Sequence, residues 1–203
     1  MNALSHDRLV VGGKAQFHSI SSFTMEQKPG EHATAWIKGV LTEEGTKFLT
    51  GRTADEVITI LDKEIGDYPP VFQGVIDQIL FSTENSLDVV ALRLKAGSIK
   101  LDTLLKSKSY QDIDLTYYDI IVDVLADFHE GNAVISDEIA DQKIGYPVVR
   151  YKETAWQFIR RLASHYNLPV YSDASSSMPR VYVGLPSINK EANRRNRNPA
   201  KQQ

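Results

Sequence analysis

The sequence predicts a mixed β and α+β protein of 203 residues, rich in strands through its first half and built from alternating helices and strands in a smaller second half. Two observations carry this reading. Up to Lys95, short strand-like runs alternate with turn signals at a spacing that suits a barrel or a sandwich. From Gly97 onward the apolar residues recur at helical spacing, with strand-like runs between the helices.

The first strand evidence lies around Phe17, Ile20 and Phe23, spread through a Ser- and Thr-containing run that ends at the turn Lys28-Pro29-Gly30-Glu31. Upstream, Gly12-Gly13-Lys14 reads as a turn between strands, and downstream a return strand runs from His32 to Leu41. Residues Asp55 to Gly66 support two readings. Val57, Leu61 and Ile65 recur as on a helix, whereas the β-branched cluster Val57-Ile58-Thr59-Ile60 favours a strand, and periodicity alone leans to the helix. After the Pro69-Pro70 break, Val71 to Phe81 and Leu87 to Lys95 form two strands around the loop Thr83-Glu84-Asn85-Ser86.

In the second half, Ile99, Leu101, Leu104 and Leu105 suggest a short helix over Ser98 to Leu105. From Thr116 to Phe128, Ile120, Ile121, Val124, Leu125 and Phe128 give a helix one apolar face. Ala133 to Ile139 reads as a strand, Tyr146-Pro147 as a stop, and Val148 to Tyr151 as another strand. The clearest helix starts at Thr154, whose hydroxyl and the Gln157 side chain form a Thr-x-x-Gln capping box. Ala155, Phe158, Ile159, Leu162, Ala163 and Tyr166 then make one stripe, ended by Asn167 and Pro169. A closing strand pair follows: Val170-Tyr171, a loop over Asp173 to Met178, and Val181 to Leu185.

Composition narrows the function. The chain has no cysteine, which removes disulfides, Cys-ligated zinc, iron–sulfur clusters and thiol nucleophiles together. Its net charge of −3 averages two unlike parts: Ser187 to Gln203 holds five Lys and Arg against Glu191 alone, a net +4, so the remainder carries −7. An acidic body is a poor surface for phosphate neutralisation, so no nucleic-acid partner is expected. No signal peptide and no run of about eighteen apolar residues is present, so the chain is expected to be made in the cytoplasm without stable membrane insertion.

Candidate chemistry is sparse. His6, His18, His32, His129 and His165 show no helical metal-site spacing and read as scattered surface residues. Gly12-Gly13-Lys14 lacks the rest of a phosphate-binding loop, and the Ser-x-x-Lys match at Ser187 and Lys190 lies in the basic tail. Glu153 and His165 flank the strongest helix about 18 Å apart along its axis, too far to act on one another. Glu153 reads as a carboxylate favoured by a helix N-terminus; Arg160-Arg161 reads as a solvated face or as an ion-pair partner for the acidic body, the former being the usual case; and Trp36, Trp156, Tyr151, Tyr166 and Tyr171 read as core aromatics more readily than as a binding platform. No catalytic, cofactor-binding or metal-ligating residue is assigned, and no enzymatic activity is expected.

One stretch is specific enough to name a family. Residues Tyr151-Lys152-Glu153-Thr154-Ala155-Trp156-Gln157-Phe158-Ile159-Arg160-Arg161-Leu162 resemble the Tyr-x-Glu-Ser/Thr-x-x-x-Phe-Ile/Leu-x-Arg-Leu helix of late-control gene D proteins, VgrG spike proteins and related baseplate hubs of phage tails and contractile injection systems. Val71-Phe72-Gln73-Gly74-Val75-Ile76 is similar to the family's Phe-x-Gly-x-Ile/Val strand, and Ser109-Tyr110-Gln111-Asp112 with the helix after it to a second segment, in the same order. The residues carrying the resemblance are Tyr151, Glu153, Thr154, Phe158, Arg161, Leu162, Phe72 and Gly74.

The resemblance implies an N-terminal β-barrel over residues 1–97, a tube-attachment-like unit, followed by a smaller α/β domain over 98–186 and a basic flexible tail or linker over 187–203. It also favours a strand for Asp55 to Gly66. It implies a structural hub with a homotrimeric ring that joins the tail tube to the central spike, partnered by tube, spike or baseplate proteins and assembled into a virion or phage-like particle. Family members continue into a second barrel and a spike, so the chain is expected to be either a truncated hub or one whose remaining parts are separate chains. Two rivals stand beside this reading: an oligonucleotide-binding barrel, and a hub fragment of a tail-associated cell-wall hydrolase, which would need His, Asp and Glu side chains gathered in a pocket.

Overall fold

The computed structural model describes residues 8–51, 56–64, 70–84 and 87–184. The expectations for His6, Ile65, Pro69, Asn85, Ser86, Leu185 and the basic tail lie outside the described residues.

The first half is a six-stranded antiparallel sheet in the order β1-β4-β5-β6-β3-β2. Its strands are β1 (Leu9–Gly12), β2 (Phe17–Glu26), β3 (Thr34–Leu41), β4 (Val57–Asp62), β5 (Phe72–Glu84) and β6 (Leu87–Ala96). β5 and β6 form a long hairpin in which Glu84 pairs with Leu87. A helix that the apolar pattern did not announce, α1 (Glu43–Gly51), follows β3, and the Thr42 hydroxyl caps it by accepting from Gly45 N at 3.0 Å.

The stretch with two readings is a strand. In β4, Ile58, Ile60 and Asp62 are buried and their neighbours are less so, the alternation of a pleated strand; β1 pairs with one of its edges and β5 with the other. The helical spacing of Val57 and Leu61 is incidental, because every second residue here faces the core whatever the spacing of the others. One apolar cluster takes in Leu9 and Val11 of β1, Ile37 of β3, Phe72 of β5 and Leu92 of β6, with Phe17 and Ile20 of β2 packed against it. The two end strands of the sheet therefore serve the same core, so the sheet curls, and among the described residues no ladder joins β1 to β2.

Two glycines have no substitute. A Cβ on Gly74, in β5, would lie 2.1 Å from the Lys95 carbonyl oxygen, and one on Gly97 would lie 2.2 Å from the Ser177 backbone. Gly74 lets the β5–β6 ladder close, and Gly97 lets a later loop seat against the end of the sheet.

The second half begins with a 3-10 turn, Gly97–Asp102, shorter than the expected helix, and Leu104 and Leu105 beyond it are exposed. A polar strand β7 (Lys106–Tyr110) pairs antiparallel with β9 (Val148–Glu153). Between them come α2 (Tyr117–Leu125), β8 (Asn132–Ile135) and a short α3 (Asp137–Ala140). The strand expected over Ala133 to Ile139 thus stops at Ile135, where Ser136 caps α3 by accepting from Glu138 N. α4 (Ala155–Ser164), β10 (Val170–Ser172) and β11 (Arg180–Val183) are the last elements among the described residues, with β11 between antiparallel β10 and parallel β8.

Both long helices of this half start with complete capping boxes, Thr116 with Asp119 and Thr154 with Gln157. Their apolar faces meet in a second core, where Ile120, Ile121 and Val124 of α2 and Phe158, Ile159 and Leu162 of α4 are fully or almost fully buried. No helix among the described residues is long and apolar enough to cross a membrane.

Leu162→Ala is expected to destabilise this core by about 2 to 5 kcal/mol, and urea denaturation measures it. Gly74→Ala is expected to cost about 1 to 3 kcal/mol through strain in β5 and β6. An unchanged denaturation midpoint in either variant would contradict the packing described.

Candidate functional site

Four features are the places where this molecule has something to offer beyond its cores: the joint between the two cores, the clasp at the start of α4, the uncovered edges of the large sheet, and the exposed apolar side chains.

The joint is built largely from backbone. Gly30 N donates to Val170 O at 2.7 Å, Gln73 N to Ala174 O at 2.8 Å, and Gly97 N to Ser176 O at 3.1 Å. Gln27 Nε2 donates to Ser172 O at 2.6 Å, and Lys100 Nζ to Ser177 O at 3.1 Å. The β10–β11 loop is thereby fastened to the end of the six-stranded sheet, and its Ala174 belongs to that sheet's core.

At the centre of the joint stands His32. Its Nδ1 lies 2.9 Å from Ser98 Oγ and its Nε2 2.9 Å from Asp102 Oδ2, while the Thr154 hydroxyl donates to Asp102 Oδ1 at 2.5 Å. The protons can be assigned from chemistry. A carboxylate only accepts, so His32 Nε2 carries the hydrogen and Nδ1 accepts from the Ser98 hydroxyl. Thr154 Oγ1, having donated to Asp102, accepts from Gln157 N at 3.1 Å. An ordered chain thus runs from Ser98 to the cap of α4. The Trp156 ring lies 4.3 Å from the His32 ring.

Ser98, His32 and Asp102 have the donor order of a hydrolytic triad. Access decides against a nucleophile: Ser98 is fully buried, so no substrate reaches its Oγ. Among the described residues no group of three or more His, Asp or Glu is arranged to hold a metal ion.

The clasp takes the ion-pair reading of Arg161, whose side chain is 38% exposed: its Nε and Nη2 donate to the two carboxylate oxygens of Glu153 at 2.9 and 2.7 Å, and Nη2 also donates to Val149 O at 2.7 Å. Glu153 is accordingly held by this guanidinium rather than by a helix terminus alone. The bonds from Arg161 keep the Glu153 carboxyl below its ordinary range. Arg161 and the buried Arg150 both lie over the Phe158 ring, at 5.0 and 5.9 Å.

Among the other residues of the family pattern, Phe72, Phe158 and Leu162 are fully buried, Gly74 is packed against backbone, and Thr154 caps α4. Tyr151 is 67% exposed, so it is not a core aromatic, and Trp36 and Tyr166 are also partly exposed. One histidine departs from the surface reading: His32 is largely buried, whereas His165 is exposed, with its Nδ1 2.8 Å from the buried Tyr117 hydroxyl. Spacing gave no sign of the His32 group, because its partners lie 66 and 70 residues away in sequence.

The edges differ in how they are finished. β2 is a ten-residue terminal strand without proline, lysine or arginine, and its one carboxylate, Glu26, is at its end. β1 is the other terminal strand, and residues of both line one groove of about 680 Å³, among them Val10, Val11, His18 and Ile20. On the β5–β6 hairpin, Leu80, Phe81 and Leu87 are exposed.

No known family profile matches the chain, and no curated protein matches it in sequence. Solved structures do match. A tail protein from Neisseria meningitidis is similar over 87% of this chain and 50% of its own length, at 14% identity and a TM-score of 0.61. A tail protein of a Shewanella oneidensis prophage is similar over 88% and 53%, at 13% identity and 0.63. A component of the E. coli type VI secretion system, described as structurally similar to bacteriophage tail proteins, is similar over 81% and 45%, at 14% identity and 0.54. The chain shares the fold of these proteins and spans about half their length.

The clasp yields a pH-resolved expectation. A carboxyl whose folded pKa is depressed stabilises the protein above its unfolded value and ceases to do so as pH falls through the folded one. Glu153→Gln and Arg161→Ala are each expected to cost about 1 kcal/mol near neutral pH, with the double variant no worse than the sum of its parts. The Glu153→Gln cost is expected to vanish below the carboxylate range, whereas part of the Arg161→Ala cost persists because the Val149 carbonyl bond and the Phe158 contact do not titrate, as thermal unfolding at stepped pH would show.

Proposed function

We propose that this chain is a structural component of the baseplate hub of a phage tail or phage-like contractile injection system, joining the tail tube to the central spike as one subunit of a trimeric ring. The observation that carries the proposal is the fold shared with tail and secretion-system proteins over most of the chain. In this reading residues 1–97 form the tube-facing unit, 98–186 the α/β unit packed against it, and 187–203 a basic connection to the next component. The partners are tail-tube, spike or baseplate proteins, the work is mechanical rather than enzymatic, and the protein is made in the bacterial cytoplasm before assembly into a particle.

The edges of the sheet support the ring. Soluble proteins usually protect a terminal strand with proline, lysine, a bulge or a covering element, because open N–H and C=O groups recruit other chains. β2 has bulges, but most of its ten residues are uncharged and none is proline or lysine. A head-to-tail contact between β2 of one copy and β1 of the next uses different surfaces on each subunit, and such a contact must close into a ring or grow without limit. Threefold closure satisfies both edges of every copy.

Two measurements test the proposal. Light scattering on the purified protein, alone and with its tail-tube partner, is expected to give the mass of three copies. Electron microscopy of the native particle is expected to place the chain between tube and spike. A particle with no copy at that junction would sink the hub reading, whereas a stoichiometry other than three with the chain in place would overturn only the trimer.

A further inference from the structure

We propose that His32 makes the joint between the two cores responsive to pH, stiff when the ring is neutral and loosened when it takes up a proton. The argument starts from the proton order. With neutral His32, Nε2–H donates to Asp102, Nδ1 accepts from Ser98, and each hydroxyl in the chain has one acceptor for its one hydrogen. A second proton turns Nδ1 into a donor. Ser98 Oγ must then rotate to accept it, and the serine hydrogen is left seeking an acceptor at a site that is fully buried.

The charges around the ring pull in both directions. From the 3-10 turn it faces Ser98 and the single carboxylate of Asp102, which is shared with the Thr154 hydroxyl. From α4 it faces Trp156 and the cation of Arg160, from β6 the cation of Lys95, and its own segment supplies Glu31. Burial is the largest influence on its titration and pushes the imidazole below its ordinary value; the Asp102 hydrogen bond and charge come next and oppose it, and Lys95 and Arg160 add smaller downward pushes. A group with a lowered folded value stabilises the protein above its unfolded value, near 6.5, and loses that contribution as pH falls through the folded value.

The position of the ring gives this titration its consequence. His32 precedes β3, Asp102 ends the 3-10 turn and Thr154 caps α4, so one imidazole links the large sheet to the helix at the heart of the second core. The protonated ring keeps its bond to Asp102, now charge-assisted, so the strain falls on Ser98, whose displacement shifts the 3-10 turn that also carries the Asp102 partner of the Thr154 cap. Acid therefore acts on the angle between the two bodies and leaves each core intact. The proposal concerns the isolated chain, so it stands or falls separately from the hub reading.

The test uses the whole chain. NMR titration of the His32 ring protons is expected to give a midpoint below about 6.5, the ordinary histidine value. Hydrogen exchange at residues 31–33 and 155–158, corrected for intrinsic rates, is expected to be several-fold faster at about pH 5.5 than at about pH 7.5, with the interiors of β5, β6 and α2 unchanged. His32→Gln should abolish that difference. A His32 midpoint at or above the ordinary value would overturn the proposal, as would pH-independent exchange at the joint or a pH effect that persists in His32→Gln. The two measurements on the natural sequence decide the matter even where the variant does not fold.

Discussion

The relation between the two halves of this molecule depends on the chain of hydrogen bonds Ser98, His32, Asp102, Thr154. Each core has its own apolar reasons to exist, and among the described residues only Ala174 of the second half enters the core of the first. Apolar contact is non-directional and tolerates rotation; hydrogen bonds with one donor and one acceptor per step do not. Thr154 is where the two kinds of constraint meet, since the same oxygen that accepts from Gln157 N to start α4 belongs to the hydroxyl that donates to Asp102. A helix cap is thereby also a bolt between bodies. The backbone bonds of the β10–β11 loop to Gln73 and Gly97 hold the same junction from the other side.

The treatment of backbone edges follows a different rule in each half. In the small β7–β9 ribbon, Arg161 occupies the Val149 carbonyl, and its guanidinium is itself held by Glu153. That carbonyl is closed to any further strand. In the large sheet, β1 and β2 line a common groove, and neither is finished with proline or lysine. The two halves therefore finish their edges by different means, a side chain on a carbonyl in one and bulges without proline or lysine in the other.

Much of this was legible in the sequence wherever the determinant is local. The capping box at Thr154, the stripe from Ala155 to Ala163 and the hairpin of β5 and β6 are each fixed by residues a few positions apart, and each was read correctly. α1 was missed because Glu43 to Gly51 offers only Phe48 and Leu49 as apolar residues, too few for a period. β7, Lys-Ser-Lys-Ser-Tyr, was missed because its lysines face acidic side chains of α2 and its neighbourhood, Lys108 on Asp123 and Lys106 on Asp127, which no strand pattern announces. The long-range pairs were invisible for the same reason. His32 with Asp102 and Arg161 with Glu153 are 70 and 8 residues apart, and the clasp spacing matches no standard helical pair.

The Ser98, His32 and Asp102 group shows why geometry alone does not assign chemistry. The same three residue types in the same donor order make a nucleophile where the serine meets solvent and substrate, and a fastening where it is buried. Burial reverses the value of each member. In a catalytic site a histidine that readily accepts a second proton is the working part, because it takes the hydrogen from serine. Here that proton strands the Ser98 hydroxyl and meets a low-dielectric surrounding, so readiness to accept it would weaken the joint. The arrangement is selective for the neutral ring, and a neutral ring with both nitrogens engaged is a rigid spacer.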